Sequence, residues 1–313
     1  KEVGQVSCDD REPPPALWCA VAPLLMVDDK GRELKFRQLP ERIVSLVPSD
    51  SYTLARLGAG SRLVGRTRYC ELPAEEVSGA AVVGGTKDAD VTAILELKPD
   101  LVLVNQEENT LSAAETLRRE GVPIFVSFPT KASHSLIQVS RLARLLGDLT
   151  KEGKDLVRFA YAADAELQAG WNAKRVRVFV PIWMEPLMTI HRDTFISDQL
   201  FQLGADNVFA DRVRHYPLAA DLGNRKPQAP GDRDVRYPRV RLEEVVERQP
   251  DLVLLPDEPH PFTEEDARCF RELAIPAAPD RVRFCIGKQL MWPGLMALEG
   301  AQHLRSMIHG PAN

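Results

Sequence analysis

Metal-ligand spacing is the first thing missing from these 313 residues. The five cysteines, Cys8, Cys19, Cys70, Cys269 and Cys285, form no CxxC pair, and none of the six histidines is spaced as a metal couple. A structural zinc site is thereby excluded, and the odd cysteine count leaves at least one thiol unpaired. Positive charge is short as well: 40 Lys and Arg stand against 45 Asp and Glu, a net charge of -5. No global field exists to gather nucleic acid or anionic lipid. The longest apolar run, 16–27, falls short of the roughly 20 residues that cross a bilayer. Asp9, Asp10, Arg11, Glu12 and three prolines precede it, which is not the basic segment of a secretory signal. It is expected to be structure, a strand leading into the turn Asp28-Asp29-Lys30-Gly31. Gln5-Val6-Ser7-Cys8 only half matches a lipidation box, lacking an aliphatic residue at its first position. Nucleotide and hydrolase signatures are absent too. Gly58 and Gly60 lack the third glycine of a dinucleotide loop, and no HExxH or GxSxG occurs. No catalytic residue and no metal site are expected.

What is present is a duplication. The block 93–104, ending Lys98-Pro99-Asp100 and an aliphatic run, returns as 244–255, ending Gln249-Pro250-Asp251 and a second run, roughly 150 residues on. Upstream, Leu54, Leu57, Gly58 and Ala59 are echoed by Leu200, Leu203, Gly204 and Ala205, with glycine where a helix closes. The 24 prolines punctuate many short elements. Each copy is a short helix, a proline stop and a strand buried on both faces. This predicts an α/β fold of two Rossmann-like lobes with parallel sheets, joined by a long rigid α-helix. Strands are expected at 43–47, 63–65, 101–104 and 124–126, then at 176–181, 252–255 and 283–286. The stretch 149–174 has no proline and carries Leu156, Phe159, Ala160, Ala163 and Leu167 at helical spacing. The domains expected are an extension 1–27, a first lobe 28–148, the linking helix 149–174 and a second lobe 175–313, with an extended insertion at 217–239. A helical linker, unlike a Gly/Ser coil, permits only small hinge motions.

Ligands of open parallel sheets bind outside the carboxyl ends of the strands. Those ends carry Tyr69, Glu108, Trp183, Met188, His191, Glu258, His260, Phe262 and Trp292. Ring faces with a few fixed polar groups suit a large, flat, amide-edged guest in a mildly acidic cleft.

The run Pro40 to Ser49, then Leu57-Gly58, Val64-Gly65, Tyr69, Pro73, Val83-Gly84-Gly85 and Lys98-Pro99-Asp100-Leu101 resembles the helical-backbone substrate-binding proteins of ABC importers, which carry vitamin B12, haem or iron siderophores. The likeness continues through Trp183, Glu185, Pro186, Leu187, Met188 and Thr189 and the stretch Thr194 to Ala210. Arg68-Tyr69 with Pro73, and Glu258-Pro259 with Pro261-Phe262, are most similar to the cobalamin-binding branch. The resemblance implies that Tyr69 and Tyr237 line a corrinoid cleft, and that one glutamate on top of each lobe docks onto arginines of a permease. The second-lobe position matches Glu243 or Glu244. The first-lobe position is Thr92, with Asp90 or Glu96 as substitutes. The family's Pro-Ser-x-Thr-Glu is here Pro48-Ser49-Asp50-Ser51-Tyr52, and two cleft tryptophans of the B12 binder match Thr86 and Asn105.

The expectation is a non-catalytic receptor, periplasmic or otherwise extracytoplasmic and peripheral to the membrane, although no signal segment is visible in the chain. It captures a cobalamin-like corrinoid and delivers it to an ABC importer, with no resident cofactor. Haem, with Tyr69, His191 or His260 as axial ligand, or an iron siderophore is the alternative cargo. A ligand-sensing module and a metal-chelate-processing enzyme are the alternatives of another class.

Overall fold

The duplicated Pro-Asp pairs assemble both lobes in the computed structural model, which describes residues 23–310. Helix Val91–Glu96 runs out at Lys98 and helix Leu242–Arg248 at Gln249, the two non-glycine residues of the described chain with positive φ, 49° and 47°. A following proline disfavours right-handed helix in the residue before it, so each helix stops there. The aspartate then holds the first strand of its lobe. Asp100 accepts the N–H groups of Glu41 at 2.8 Å and Arg42 at 3.0 Å, and Asp251 accepts that of Arg177 at 3.2 Å. The same two arginines cap the helix ends, Arg42 donating to the carbonyls of Leu97 and Lys98, Arg177 to those of Arg248 and Gln249. Cations at unsatisfied C-terminal carbonyls complement the helix dipole.

The strands are β1 (Leu24–Val27), β2 (Glu33–Phe36), β3 (Ile43–Ser45), β4 (Leu63–Arg66), β5 (Ala81–Val82), β6 (Leu101–Asn105) and β7 (Ile124–Ser127) in the first half, then β8 (Val176–Phe179), β9 (Ala205–Asn207), β10 (Leu252–Pro256) and β11 (Val282–Cys285). The first sheet has the order β5-β4-β3-β6-β7, the second β11-β10-β8-β9, and all pairs in both are parallel. The run β4-β3-β6-β7 thus matches β9-β8-β10-β11, as a duplicated unit requires. Every residue of β6 and β10 is buried, because helices cover both faces. The seven expected strands all form; β2 was not expected, and neither were β5 and β9. The last two are very short, and both residues of β5 are exposed, so neither leaves an apolar pattern.

β1 and β2 make an antiparallel hairpin whose turn is tied by Asp28, accepting N–H groups from Lys30 at 2.9 Å and Arg32 at 2.8 Å. Met26, Leu34 and Phe36 from this hairpin enter the core of the first lobe, so the boundary expected between residues 27 and 28 falls inside one unit. Cys8, Cys19 and the segment 5–8 lie outside the described residues. Cys70, Cys269 and Cys285 are free thiols.

The linking helix runs Lys151–Gln168, shorter than the expected 149–174, capped by the Thr150 hydroxyl on the N–H of Gly153 at 3.1 Å and followed by Gly170 at φ 78°. Leu156 and Val157 pack against the cores of both lobes. The last helix, Leu295–His309, also crosses between lobes: Glu299 accepts the Tyr52 hydroxyl at 2.5 Å and pairs with Arg56 at 2.9 Å. Tyr52, the aromatic where the resembling family has an acid, is therefore an inter-lobe strut. The insertion 217–239 holds the short helix Leu218–Asp221, and its end pairs with the segment after β8. No helix of the described residues is long and apolar enough to cross a membrane.

Candidate ligand-binding cleft

Side chains after β6 of the first sheet meet side chains of the second lobe. The turn after β6 is framed by two asparagines. Asn105 accepts the N–H of Glu107 at 2.8 Å, and Asn109 accepts that of Asn105 at 2.7 Å while donating to the carbonyls of Leu46 and Thr86. Asn105 and Asn109 are consequently buried scaffold, and the turn presents Glu107 and Glu108. From the opposite lobe, the Tyr237 hydroxyl donates to Glu107 at 3.1 Å, Arg236 forms an ion pair with the same carboxylate, and its guanidinium lies 5.1 Å from the centre of the Phe128 ring.

Behind this contact the floor is acidic. Glu108 sits near Asp50, Glu107 and Glu258, and burial first, then those neighbouring charges, push its carboxyl up to about 8. Burial likewise raises Asp50 to about 7, although Gln138 donates to it at 2.8 Å. Glu258 is paired with Lys288 at 3.0 Å, and Lys288 lies 5.4 Å from the Trp292 ring centre. Lys87 is spent on the carbonyl of Glu107, and Arg68 on Asp88 at 2.9 Å.

The aromatic residues divide by burial. Tyr69, after β4, is 53% exposed, and Trp183, after β8, is 43% exposed. Both are displayed by braced loops. The N–H of Tyr69 is fixed by the Thr67 hydroxyl at 3.3 Å, and the Trp183 indole donates to the Glu185 carbonyl at 3.1 Å. Gly85 backs this display: a Cβ there would stand 2.3 Å from the Arg68 guanidinium and 3.2 Å from the Tyr69 ring. His260 lies 5.4 Å from Trp183 and 4.6 Å from Phe262, centroid to centroid, with Nε2 turned to Asp266 at 3.5 Å. Met188 is half-buried in a ladder with Trp183. Phe262 at 7% and Trp292 at 9% exposure belong to the hydrophobic cores. His191 is also buried; its Nδ1 accepts the N–H of Asp193 at 3.2 Å, and burial lowers its pKa. The structure thus brings Tyr69, Glu108, Trp183, Met188, Tyr237, Glu258 and His260 to the strand tips and packs the other three inside. Glu107, Asp50 and Arg236 went unselected in the sequence, although each adjoins a residue or motif that was singled out.

At the proposed docking positions, Glu243 is exposed in the first turn of its helix. Glu244 is tied to Arg212 at 3.1 Å and to the N–H of Arg241 at 3.1 Å. Asp90 caps its helix through the N–H of Ala93 at 3.0 Å, and Thr92 is exposed. Among the described residues no group of three His, Cys, Asp or Glu side chains could hold a metal ion. A separate cavity of about 260 Å³ lies along the linking helix, lined by Phe159, Ala163, Leu298 and Arg305, away from the strand tips.

Two parallel-sheet lobes held by a shared helix, with aromatic and acidic tips converging between them, make the chain a two-lobed solute receptor. Residues 43–254 match the family described as "Periplasmic binding protein", and the chain belongs to it. A vitamin B12-binding protein of Yersinia pestis (strain Pestoides F) is 28% identical over 193 residues, 61% of this chain and 69% of that protein. Among solved structures, the periplasmic vitamin B12 binding protein BtuF of Vibrio cholerae superposes with a TM-score of 0.68 at 20% identity, covering 86% of this chain and 96% of that one. The periplasmic heme-binding protein RhuT of Roseiflexus sp. RS-1 in apo form gives 0.66 at 20% identity, covering 86% and 98%. These structural likenesses establish the fold.

Proposed function

We propose that the protein captures a cobalamin-like corrinoid between its lobes outside the cytoplasm and passes it to an ABC importer in the membrane. The observation that carries this reading is the pairing of a displayed aromatic from each lobe, Tyr69 and Trp183, with the acidic floor of Asp50, Glu107, Glu108 and Glu258. A corrin is broad and flat, which suits stacking on rings, and its rim of amide N–H groups suits acceptors fixed in the floor. Glu108 and Asp50 are held toward their neutral forms, and the cations of the floor, Arg236 and Lys288, are already paired with Glu107 and Glu258, so the floor offers no free cation to the propionates of haem or the oxygen donors of anionic siderophores. The corrinoid is cargo, not a cofactor. The exposed Glu243 supports docking through the second lobe.

Titration with cyanocobalamin, haem and a ferric siderophore, followed by tryptophan emission, tests the reading. Cyanocobalamin is expected to quench, Trp183→Phe to remove most of that quench, and Tyr69→Ala to weaken binding by about 1–2 kcal/mol through lost stacking. Tight haem binding beside indifference to cobalamin overturns it.

A further inference from the structure

The second-lobe wall of the cleft is a small antiparallel ladder in which Trp183 pairs with Met188 and Met188 with Arg239. Thr189 N–H donates to the Pro238 carbonyl at 3.0 Å and Val240 N–H to that of Leu187 at 2.9 Å, making Met188 and Arg239 a non-hydrogen-bonded pair. Side chains of such a pair stand close together on one face. Tyr237, two residues before Arg239, shares that face and reaches across to Glu107. Arg239 therefore shares the face of the ladder that carries Met188 and Tyr237.

Its guanidinium lacks an acceptor: Nε and Nη1 are buried and unpartnered. The carboxylate nearest in the fold, Asp221, is already filled. One oxygen takes Arg212 at 3.0 Å and the His215 N–H at 2.8 Å, and the other takes the main-chain N–H of Arg239 itself at 2.7 Å. A second cation, Arg214, stacked 4.5 Å from the centre of the Tyr216 ring, adds repulsion to burial and lowers the pKa of Arg239. Two adjacent guanidiniums with unused donors fit an anion, which Arg binds through paired N–H groups. We infer that Arg239, backed by Arg214, seats the anionic group of the ligand, and, resting on the corrinoid reading above, that this group is the phosphodiester of a nucleotide loop. The cleft then has two chemical ends, carboxyls for amide donors and a guanidinium pair for the one negative charge.

The test compares cyanocobalamin with dicyanocobinamide, which keeps the amide-edged corrin and lacks the phosphodiester. The unmodified protein should bind cyanocobalamin at least roughly tenfold tighter, the scale of one charge-assisted contact, and added salt should shrink that preference. Arg239→Gln should abolish the preference by weakening cyanocobalamin alone, and Arg239→Lys should keep part of it. Equal affinity of the unmodified protein for both ligands overturns the assignment of Arg239, as does an Arg239→Gln variant that loses both alike or neither. An unmodified protein that binds neither corrinoid overturns the corrinoid reading itself, and this assignment with it.

Discussion

Asp50 and Glu108 hold their protons at pH values where most carboxyls are ionised, and this ties the cleft floor to the stability of the chain. Burial is the leading cause for both, raising Asp50 from 3.8 to about 7 and Glu108 from 4.5 to about 8. Between the two limits the folded chain binds more protons than the unfolded one, so stability falls as pH rises through this window. Below it both states are protonated, and above it the penalty is complete. Glu108→Gln removes a group that resists ionisation beside Asp50, Glu107 and Glu258. Thermal melts should show the variant unchanged near pH 4 and more stable above pH 8, with Tm raised by roughly 2–4 °C per kcal/mol recovered. A variant whose melting curve keeps the slope of the parent would show that Glu108 is ionised in the fold.

The duplicated helix-proline-aspartate-strand element is a joint with three parts: a positive-φ residue before proline, an aspartate holding the first strand, and an arginine returning to the helix end. Asp100 and Asp251 occupy equivalent places, so their removal should have kindred effects. Replacing either by Ala leaves exposed N–H groups to water, at about 0.5–1.5 kcal/mol for each hydrogen bond lost. Urea melts are expected to show Asp100→Ala costing more than Asp251→Ala, because Asp100 serves two N–H groups, Glu41 and Arg42, and Asp251 the side-chain contact to Arg177 alone. Much of this element was legible beforehand, since Pro-Asp before a continuous aliphatic run marks a helix stop and a doubly buried strand in any chain. Gly58 and Gly204, at φ 91° and 86°, close their helices as the pattern indicated. Burial of individual rings was not legible. Tyr69 and Phe262 both follow strands next to prolines or polar residues, yet one is displayed and the other packed, because that choice rests on what the rest of the lobe lays over them. The contact of Glu107 with Arg236 and Tyr237 was hidden for the same reason, being set by the approach of two lobes and by no local spacing.

At the scale of the whole molecule the lobes are not independent bodies on a hinge. One hydrophobic cluster contains Tyr52 and Val139 from the first lobe, Ala160 and Leu167 from the linking helix, and Leu295 and Leu298 from the last helix. Leu156 and Val157 touch this cluster and the first-lobe core together. Unfolding one lobe therefore exposes apolar surface of the other, which couples them. Calorimetry should show a single transition with equal calorimetric and van't Hoff enthalpies. Leu156→Ala, which thins the seam at a half-buried position, should lower Tm by several degrees, a loss on the order of 1–3 kcal/mol, and broaden the transition or split it. Two separate transitions in the parent chain would mean that the seam does not couple the lobes, and the small hinge motion expected from a rigid linker would lose its physical basis.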